Sequence, residues 1–460
     1  MALVLALLAG ICVHYPQEGV DVGSLNVHFP SITKILNPQR QLDVEAYLAQ
    51  QDSLEAVMRT KQDSLNHYRH QVDSSDIRFW FPGNDDSFFD NLFAQFESTR
   101  TSGRTIRIVH YGDSQIESDR MSRRLRSYMQ QHFGGGGPGM VPFGTLIPTL
   151  AVSTYGSGSI RRQSPFGDST VVRASGNYGP MVQDFRVTGS ASSTITAGTH
   201  ASVDNRVKHF SRFRLIFNNR PGPLDIHFAD KKGTFVDDTS FAAEGVHSVS
   251  WTLDSATTQV QISVTGNADL YGILVDNGPG VAVDNIPMRG CSGHQFTQIN
   301  AEQLAAAYAQ MDIGLIILQF GGNSVPYLKG EKSIDAYCQS MAQQIDRIHH
   351  CCPRAKILFI GPSDMTTRES GELRSYACLP MLVEKLQTMA NAHGAAYWSI
   401  YHAMGGLNSM EAWVDQGLGG PDYIHFTTHG VDIMGDRLAK AFDNMYQIYK
   451  LRKEVTDAGI

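Results

Sequence analysis

The stretch Thr105-Ile106-Arg107-Ile108-Val109-His110-Tyr111-Gly112-Asp113-Ser114-Gln115 decides the fold class. Its first seven residues are dense in β-branched and apolar types, which predicts a strand. The strand runs into Gly112-Asp113-Ser114, a turn sequence. Ser118 then caps a helix predicted over 119–132, with Met121, Leu125 and Met129 on one face. Gly134 to Gly139 stop that helix. Strand, turn and helix in this order form a βα unit, and the rhythm returns after Asn277. There the pattern predicts a strand at Val281–Asp284, a helix from Asn300, a strand at Ile313–Phe320 and a helix over Ser333–His350. A strand at Lys356–Ile360, a helix from about Glu372 to Ala392, a short strand at Ala396–Ser399 and a last helix from His429 to Lys450 follow. Such alternation predicts a parallel sheet covered by helices on both faces.

From about Leu150 to Asp276 the texture differs. Arg212–Phe217, Asp225–Phe228, Ser248–Leu253 and Gln259–Val264 alternate or are β-branched, and Gly, Asn, Asp and Ser punctuate them. That pattern predicts an antiparallel β-sandwich inserted into the α/β domain. Ahead of the first strand, 42–72 is polar and helix-favouring, with Leu48, Leu54, Val57, Leu65 and Tyr68 at roughly helical intervals. The expected organisation is an export and helical-linker segment at 1–74, an α/β domain in two parts at 75–149 and 277–450, the β-insert at 150–276 and a tail at 451–460.

Composition agrees. The 460 residues carry 38 Lys+Arg and 45 Asp+Glu, a formal charge of −7, which argues against a general nucleic-acid binder. Hydrophobic residues at 42% are ample for sizeable cores. Charged residues at only 18%, with 43 Gly, point to loops and β-structure rather than a helical bundle. Six Cys in this length are no disulfide framework. Met1 to Val13 (MALVLALLAGICV) is apolar, of signal-sequence length and too short to span a bilayer comfortably. The expectation is export to the periplasm or cell envelope, the run being either part of a leader that starts upstream or a short uncleaved membrane anchor; a buried helix of a cytosolic protein is the alternative.

Three stretches at ends of predicted strands or in loops can carry chemistry, where open α/β sheets place their sites. Ser114 lies between the first strand and its helix, and a hydroxyl there needs a base within reach. Ser is also common at helix starts simply as a cap. In Pro421-Asp422-Tyr423-Ile424-His425-Phe426-Thr427 an Asp and a His three residues apart can face the same way, so that Asp422 orients the His425 imidazole. The pair could equally cap the following helix. Asn323, in Phe320-Gly321-Gly322-Asn323-Ser324, could donate its amide to an oxyanion or merely form a turn. Gly293, in Arg289-Gly290-Cys291-Ser292-Gly293, offers an unobstructed N–H.

Order and spacing of these blocks resemble the SGNH (GDSL-type) hydrolase superfamily. Ser114 matches its nucleophile within GDS, Gly293 the block II glycine, Asn323 the block III asparagine, and Asp422 with His425 the D-x-x-H of block V. The resemblance implies a three-layer α/β/α fold, Ser114, Asp422 and His425 as a catalytic triad, Gly293 and Asn323 as oxyanion donors, and no metal or organic cofactor. Gly112–Gln115, the glycine-rich 134–142, the β-rich insert and Asp422–Thr427 (DYIHFT) further resemble the peptidoglycan O-acetylesterases, which carry a jelly-roll, carbohydrate-binding-like insert. That implies an O-acetylated glycan as substrate. Acetylxylan deacetylation, acetyl transfer and non-catalytic glycan binding are the alternatives. Gln115 stands where those esterases often have His, and Ser324 where many SGNH enzymes have Asp.

Other features carry less. Gly134–Gly139 follows a helix and lacks a Lys-Ser/Thr, so it is no phosphate loop; it reads as a helix stop that also shapes a site wall. His349-His350-Cys351-Cys352 has no zinc spacing. His110 reads as a packed core histidine, His429 as an exposed one, and Asp113 as a turn stabiliser. Tyr155, Tyr178, Trp251 and Tyr271 in the insert could stack on sugars or pack in its core.

Overall fold

The computed structural model describes residues 2–16, 18–23, 25–28, 44–146, 149–167, 171–173, 176–200, 203–369 and 372–458. They form two compact units, 1–64 with 452–460, and 65–451. The smaller unit contains an apolar helix, Ala2–His14, and a short antiparallel pair, Val20–Val22 with Leu25–Val27. Lys61 and Glu454 approach to 3.7 Å within it. No helix among the described residues is long and apolar enough to cross a membrane. The helix expected from Leu42 runs over Val44–Asp73; Leu42 lies outside the described residues.

The larger unit is built on a six-stranded sheet ordered Gly280–Pro287, Thr105–Gly112, Ile313–Gln319, Lys356–Gly361, Ala396–Ser399, Phe79–Trp80. The first five strands run parallel, and the last, which the sequence pattern did not indicate, is antiparallel. Strand side chains alternate between faces. Val109, Tyr111, Ile316, Leu318, Ile357 and Phe359 share one core with Leu304, Ile345, Leu382 and Leu386 from three helices. On the other face, Gly314 lies against Ile106 and Leu92, because a Cβ there would come within 2.7 Å of both side chains. Phe89 and Phe93 meet Phe442 and Tyr446 of the last helix in the same layer. The result is the three-layer α/β/α arrangement with helices on both faces.

Seven strands of the insert and Gly139–Val141 form an eight-stranded antiparallel network. Its hub is the long strand Gln259–Asp276, whose first half pairs with Leu224–Asp230 and whose second half pairs with Phe210–Asn219. Val260, Ile262 and Val264 are buried while Gln261 and Thr265 are exposed, the period of two expected of a half-buried strand. Trp251, stacked on Phe228 at 4.6 Å, lies in this core. Tyr178 and Tyr271 are buried as well, so of the four aromatics weighed for sugar stacking only Tyr155 is exposed.

The α/β strands and the insert are tied by a buried ion cluster. The Arg107 guanidinium donates to Asp276 at 2.7 Å and to both oxygens of Asp284 at 2.6 and 2.8 Å. The glycine run 134–139 crosses this junction. A Cβ on Gly137 would sit 2.4 Å from the Val275 carbonyl oxygen, and one on Gly139 would sit 2.6 Å from that of Val283. Close backbone approach is what these glycines serve.

Two boundary expectations need correction. The helix expected from Asp119 begins at Ser122. Ser118 and Asp119 have φ of +57° and +66°, held in this left-handed region by buried Asp119 on Arg126 and by Glu117 on Arg289. The helix expected from Glu372 begins at Leu379. Glu372–Ser375 instead closes a hairpin on Thr366–Glu369, because tertiary bonds outweigh helix propensity: Thr366 N–H donates to Tyr423 O at 3.0 Å, and Ser375 N–H to Asn408 Oδ1 at 3.3 Å.

Candidate active site

The first parallel strand ends at Gly112, and the chain turns at once into a 3-10 helix, Ser114–Asp119. Asp113 makes the turn: its Oδ1 accepts the Gln115 N–H at 3.0 Å. Ser114 is then the first residue of the short helix, where backbone N–H groups have no partner within the helix.

The sequence 420–427 forms a tight loop before the last helix. Asp422 Oδ1 accepts the N–H groups of Ile424 and His425, each at 3.0 Å. Tyr423 takes φ +58° to close the turn. The His425 ring is thereby set against its own aspartate, with Nδ1 2.7 Å from Asp422 Oδ2. The other ring nitrogen, Nε2, lies 2.8 Å from Ser114 Oγ across 311 residues of sequence. Burial pushes the Asp422 carboxyl up, but the hydrogen bonds from the His425 ring and the loop N–H groups outweigh it and hold the pKa below the ordinary value. A hydroxyl, an imidazole and an ionised carboxylate so chained can pass a proton from oxygen to ring nitrogen.

Two contacts that the sequence did not reveal brace this chain. Gln115 Nε2 donates to Ile424 O at 3.0 Å, and the Arg120 guanidinium donates to Phe426 O. Gln115 thus ties the serine turn to the histidine loop. Only folding brings positions 115 and 424 together, so no local pattern could have marked them.

Asn323 stands at the end of the third parallel strand in a 3-10 turn, Gly322–Tyr327. Its Nδ2 donates to Asp113 Oδ2 at 3.2 Å and to Cys291 O at 3.1 Å. Both amide protons are therefore engaged, and an oxyanion contact requires one of them to turn away. Asp113 does more than stabilise its turn, since it also holds Asn323. It is buried, and that burial pushes its carboxyl up to about 6 against the pull of the Gln115 N–H, His425 and Asn323.

Ser114, Asn323 and His425 line one cleft of about 200 Å³ with Gln115, Pro362, Met365, Ile400 and Ile424. Asp422 lies behind His425. Gly293 does not line this cleft. It has φ +95°, and a Cβ there would meet the Phe320 ring at 2.9 Å. Its near neighbour Cys291 reaches the site through the bond to Asn323. A larger cavity of about 400 Å³ lies on the far side of the catalytic turn, lined by Glu117, Met140, Leu146, Phe166 and Met181. It includes neither Ser114 nor His425, so size does not mark the reactive centre here. The glycine-rich segment reaches that cavity through Pro138 and is absent from the residues around Ser114.

His110 is fully buried between Gln319 Oε1 and Ser122 Oγ, each 2.9 Å from a ring nitrogen, and burial pushes its imidazole down to about 4. It is a packed core histidine. Cys351 is also buried, with its thiol directed at Ala301 O. Among the described residues no three His, Cys, Asp or Glu side chains group as metal ligands.

Residues 254–433 match the model of the GDSL-like lipase/acylhydrolase family. That segment is similar to the GDSL-type acylhydrolases. The match takes in Gly293, Asn323, Asp422 and His425 but not Ser114, which lies ahead of the β-insert. A solved peptidoglycan O-acetylesterase superposes with a TM-score of 0.64 at 21% identity, covering 78% of this chain and 96% of that one; the likeness is one of fold. A family two carbohydrate esterase from Cellvibrio japonicus is 11% identical, covers 65% of this chain and 99% of its own, and has a TM-score of 0.25. An acetyl xylan esterase is 10% identical over 35% of this chain and 81% of its own, at 0.28. The last two scores are too low to carry an argument. No curated protein matches the sequence.

Proposed function

We propose that the protein removes O-acetyl groups from a cell-envelope glycan, with peptidoglycan the foremost substrate. The observation that carries this is the chain Ser114 Oγ–His425 Nε2 at 2.8 Å and His425 Nδ1–Asp422 Oδ2 at 2.7 Å, opening on a small cleft. The fold shared with a peptidoglycan O-acetylesterase supports the choice of substrate.

In this reading His425 Nε2 takes the Ser114 proton as Oγ attacks the acetyl carbonyl. Asp422 holds Nδ1–H and stabilises the imidazolium. The Ser114 N–H and one Asn323 amide proton hold the oxyanion, the latter by exchanging its bond to Asp113 or to Cys291 O. The imidazolium then protonates the departing sugar oxygen. Water, deprotonated by His425, releases acetate and restores Ser114. Export of the protein, with attachment near a membrane, belongs to the same proposal. What supports it is the helix Ala2–His14, which exposes Val4, Leu7, Leu8 and Val13. The insert serves in it as a glycan-binding module.

Acetate release from O-acetylated peptidoglycan and acetylxylan, by wild type and Ser114→Ala, tests the reading. Release from peptidoglycan that is lost in Ser114→Ala is expected. Full activity of Ser114→Ala refutes the catalytic assignment, and release from acetylxylan alone refutes the substrate.

A further inference from the structure

The cleft at Ser114 continues into a second and wider one. The second cleft measures about 540 Å³ and is lined by Gly290, Ser292, His294, Ser324, Leu328 and Tyr337. Asn323 and Tyr327 line both clefts. Tyr327 is 78% exposed, the most exposed large hydrophobic side chain among the described residues. Its backbone, however, is anything but loose. It closes the 3-10 turn that begins beside Asn323, Pro326 fixes the torsion before it, and the Leu328 N–H returns to Val325 O at 3.2 Å. A bare aromatic face is thus held in place four residues from Asn323, between two clefts.

The two clefts differ in chemistry. Around Ser114, Pro362, Met365, Ile400 and Ile424 supply apolar wall beside the polar Gln115, Gln319 and Ser363, in a volume of about 200 Å³. The wider cleft carries the hydroxyls of Ser292 and Ser324 and the imidazole of His294. Ser340 Oγ holds His294 Nδ1 at 2.6 Å, so Nε2 is the ring nitrogen left to a ligand. The Tyr337 hydroxyl donates to Ser292 O at 2.9 Å and fixes that wall.

We infer that the narrow cleft takes the acyl group and that the wider cleft is a saccharide subsite, in which the pyranose ring bearing the ester stacks on Tyr327. This rests on the glycan-ester reading and deepens it. A pyranose presents an apolar face of C–H bonds and a rim of hydroxyls, which match an aromatic face beside Ser and His side chains. A long-chain alcohol would displace water from Ser292 and His294 Nε2 without replacing its hydrogen bonds, at a desolvation cost.

The test measures acetate release from an O-acetylated oligosaccharide and from ethyl acetate, which has no ring to stack. Wild type is compared with Tyr327→Ala and Tyr327→Phe. The ratio of kcat/KM for oligosaccharide over ethyl acetate should fall roughly 3- to 10-fold in Tyr327→Ala, chiefly through KM, and Tyr327→Phe should keep most of it because the ring face remains. An unchanged ratio in Tyr327→Ala overturns the subsite. So does a Tyr327→Phe loss equal to that of Tyr327→Ala. Wild type that cleaves ethyl acetate but no O-acetylated oligosaccharide overturns the glycan reading and the subsite together, an outcome distinct from the other two.

Discussion

Replacing Asp422 by Asn should be more damaging than replacing it by Ala, and the reason lies in how the carboxylate is shared. One oxygen accepts His425 Nδ1–H at 2.7 Å, and the other accepts two backbone N–H groups at 3.0 Å each. An Asn side chain has one acceptor for these three donors. If its oxygen keeps the loop bonds, its NH2 faces Nδ1, which must then be the unprotonated nitrogen. Nε2 would carry the proton and could not accept one from Ser114. If its oxygen turns to Nδ1–H, the two loop bonds are lost, at about 1 kcal/mol each or about 2 kcal/mol together. Loss of the carboxylate charge beside the imidazolium adds about 1–2 kcal/mol, a modest sum because the Asp422 side chain is 48% exposed and water screens it. The total of about 3–4 kcal/mol corresponds to a loss of roughly 10² to 10³ in kcat/KM. Ala also loses the charge and the loop bonds, but it admits water, which can accept Nδ1–H and leave the productive tautomer in place. Initial rates on ethyl acetate, with thermal melting to confirm folding, measure both variants. The reasoning is refuted if Asp422→Asn keeps more than about a tenth of wild-type kcat/KM, or if Asp422→Ala proves the weaker enzyme.

Other outcomes follow from the same geometry. Ser114→Ala should lower turnover of ethyl acetate by about 10³-fold or more with little change in melting temperature. Arg107→Met should destabilise the fold by about 3–5 kcal/mol in urea unfolding, because it leaves the Asp276 and Asp284 carboxylates buried without their cation. Asp113, with its folded pKa raised from 3.8 to about 6, binds more protons folded than unfolded between those values. Stability should therefore fall as pH rises through that window, by about 3 kcal/mol, and Asp113→Asn should flatten the dependence in unfolding measured at about pH 4 and pH 7. Lengthening the acyl chain from acetyl to octanoyl should lower kcat/KM roughly tenfold to a hundredfold, since the cleft around Ser114, lined by Pro362, Met365 and Ile400, holds only about 200 Å³. Equal rates on both esters would refute that fit.

The strands at 105–112, 313–319, 356–361 and 396–399 were legible because each is a short, dense apolar run bounded by turn residues. The missed elements lacked such contrast. Phe79–Trp80 is only two residues long, and Asp90–Ser102 is a helix whose buried Leu92, Phe93 and Phe96 sit among polar neighbours. The helix start expected at Asp119 failed because buried ion pairs pin Ser118 and Asp119 in a backbone region that local propensity disfavours. At Glu372, cross-chain bonds from Thr366 and Ser375 override a helix-favouring composition.

Local sequence determined the alternation of strand and helix, the β-texture of the insert, and the presence of Ser114 and Asn323 at strand ends and of Asp422 and His425 in the loop before the last helix. It could do so because these signals depend on spacing and residue type within a single turn or strand. Only the tertiary structure decided which of them meet. It set His425 on Ser114, engaged both amide protons of Asn323, kept Gly293 off the cleft wall, and gave Gln115 its role as a brace. It also placed Tyr327 bare between two clefts. These arrangements depend on the packing of the parallel sheet and its loops, which joins residues from 32 to 311 positions apart that no local window contains.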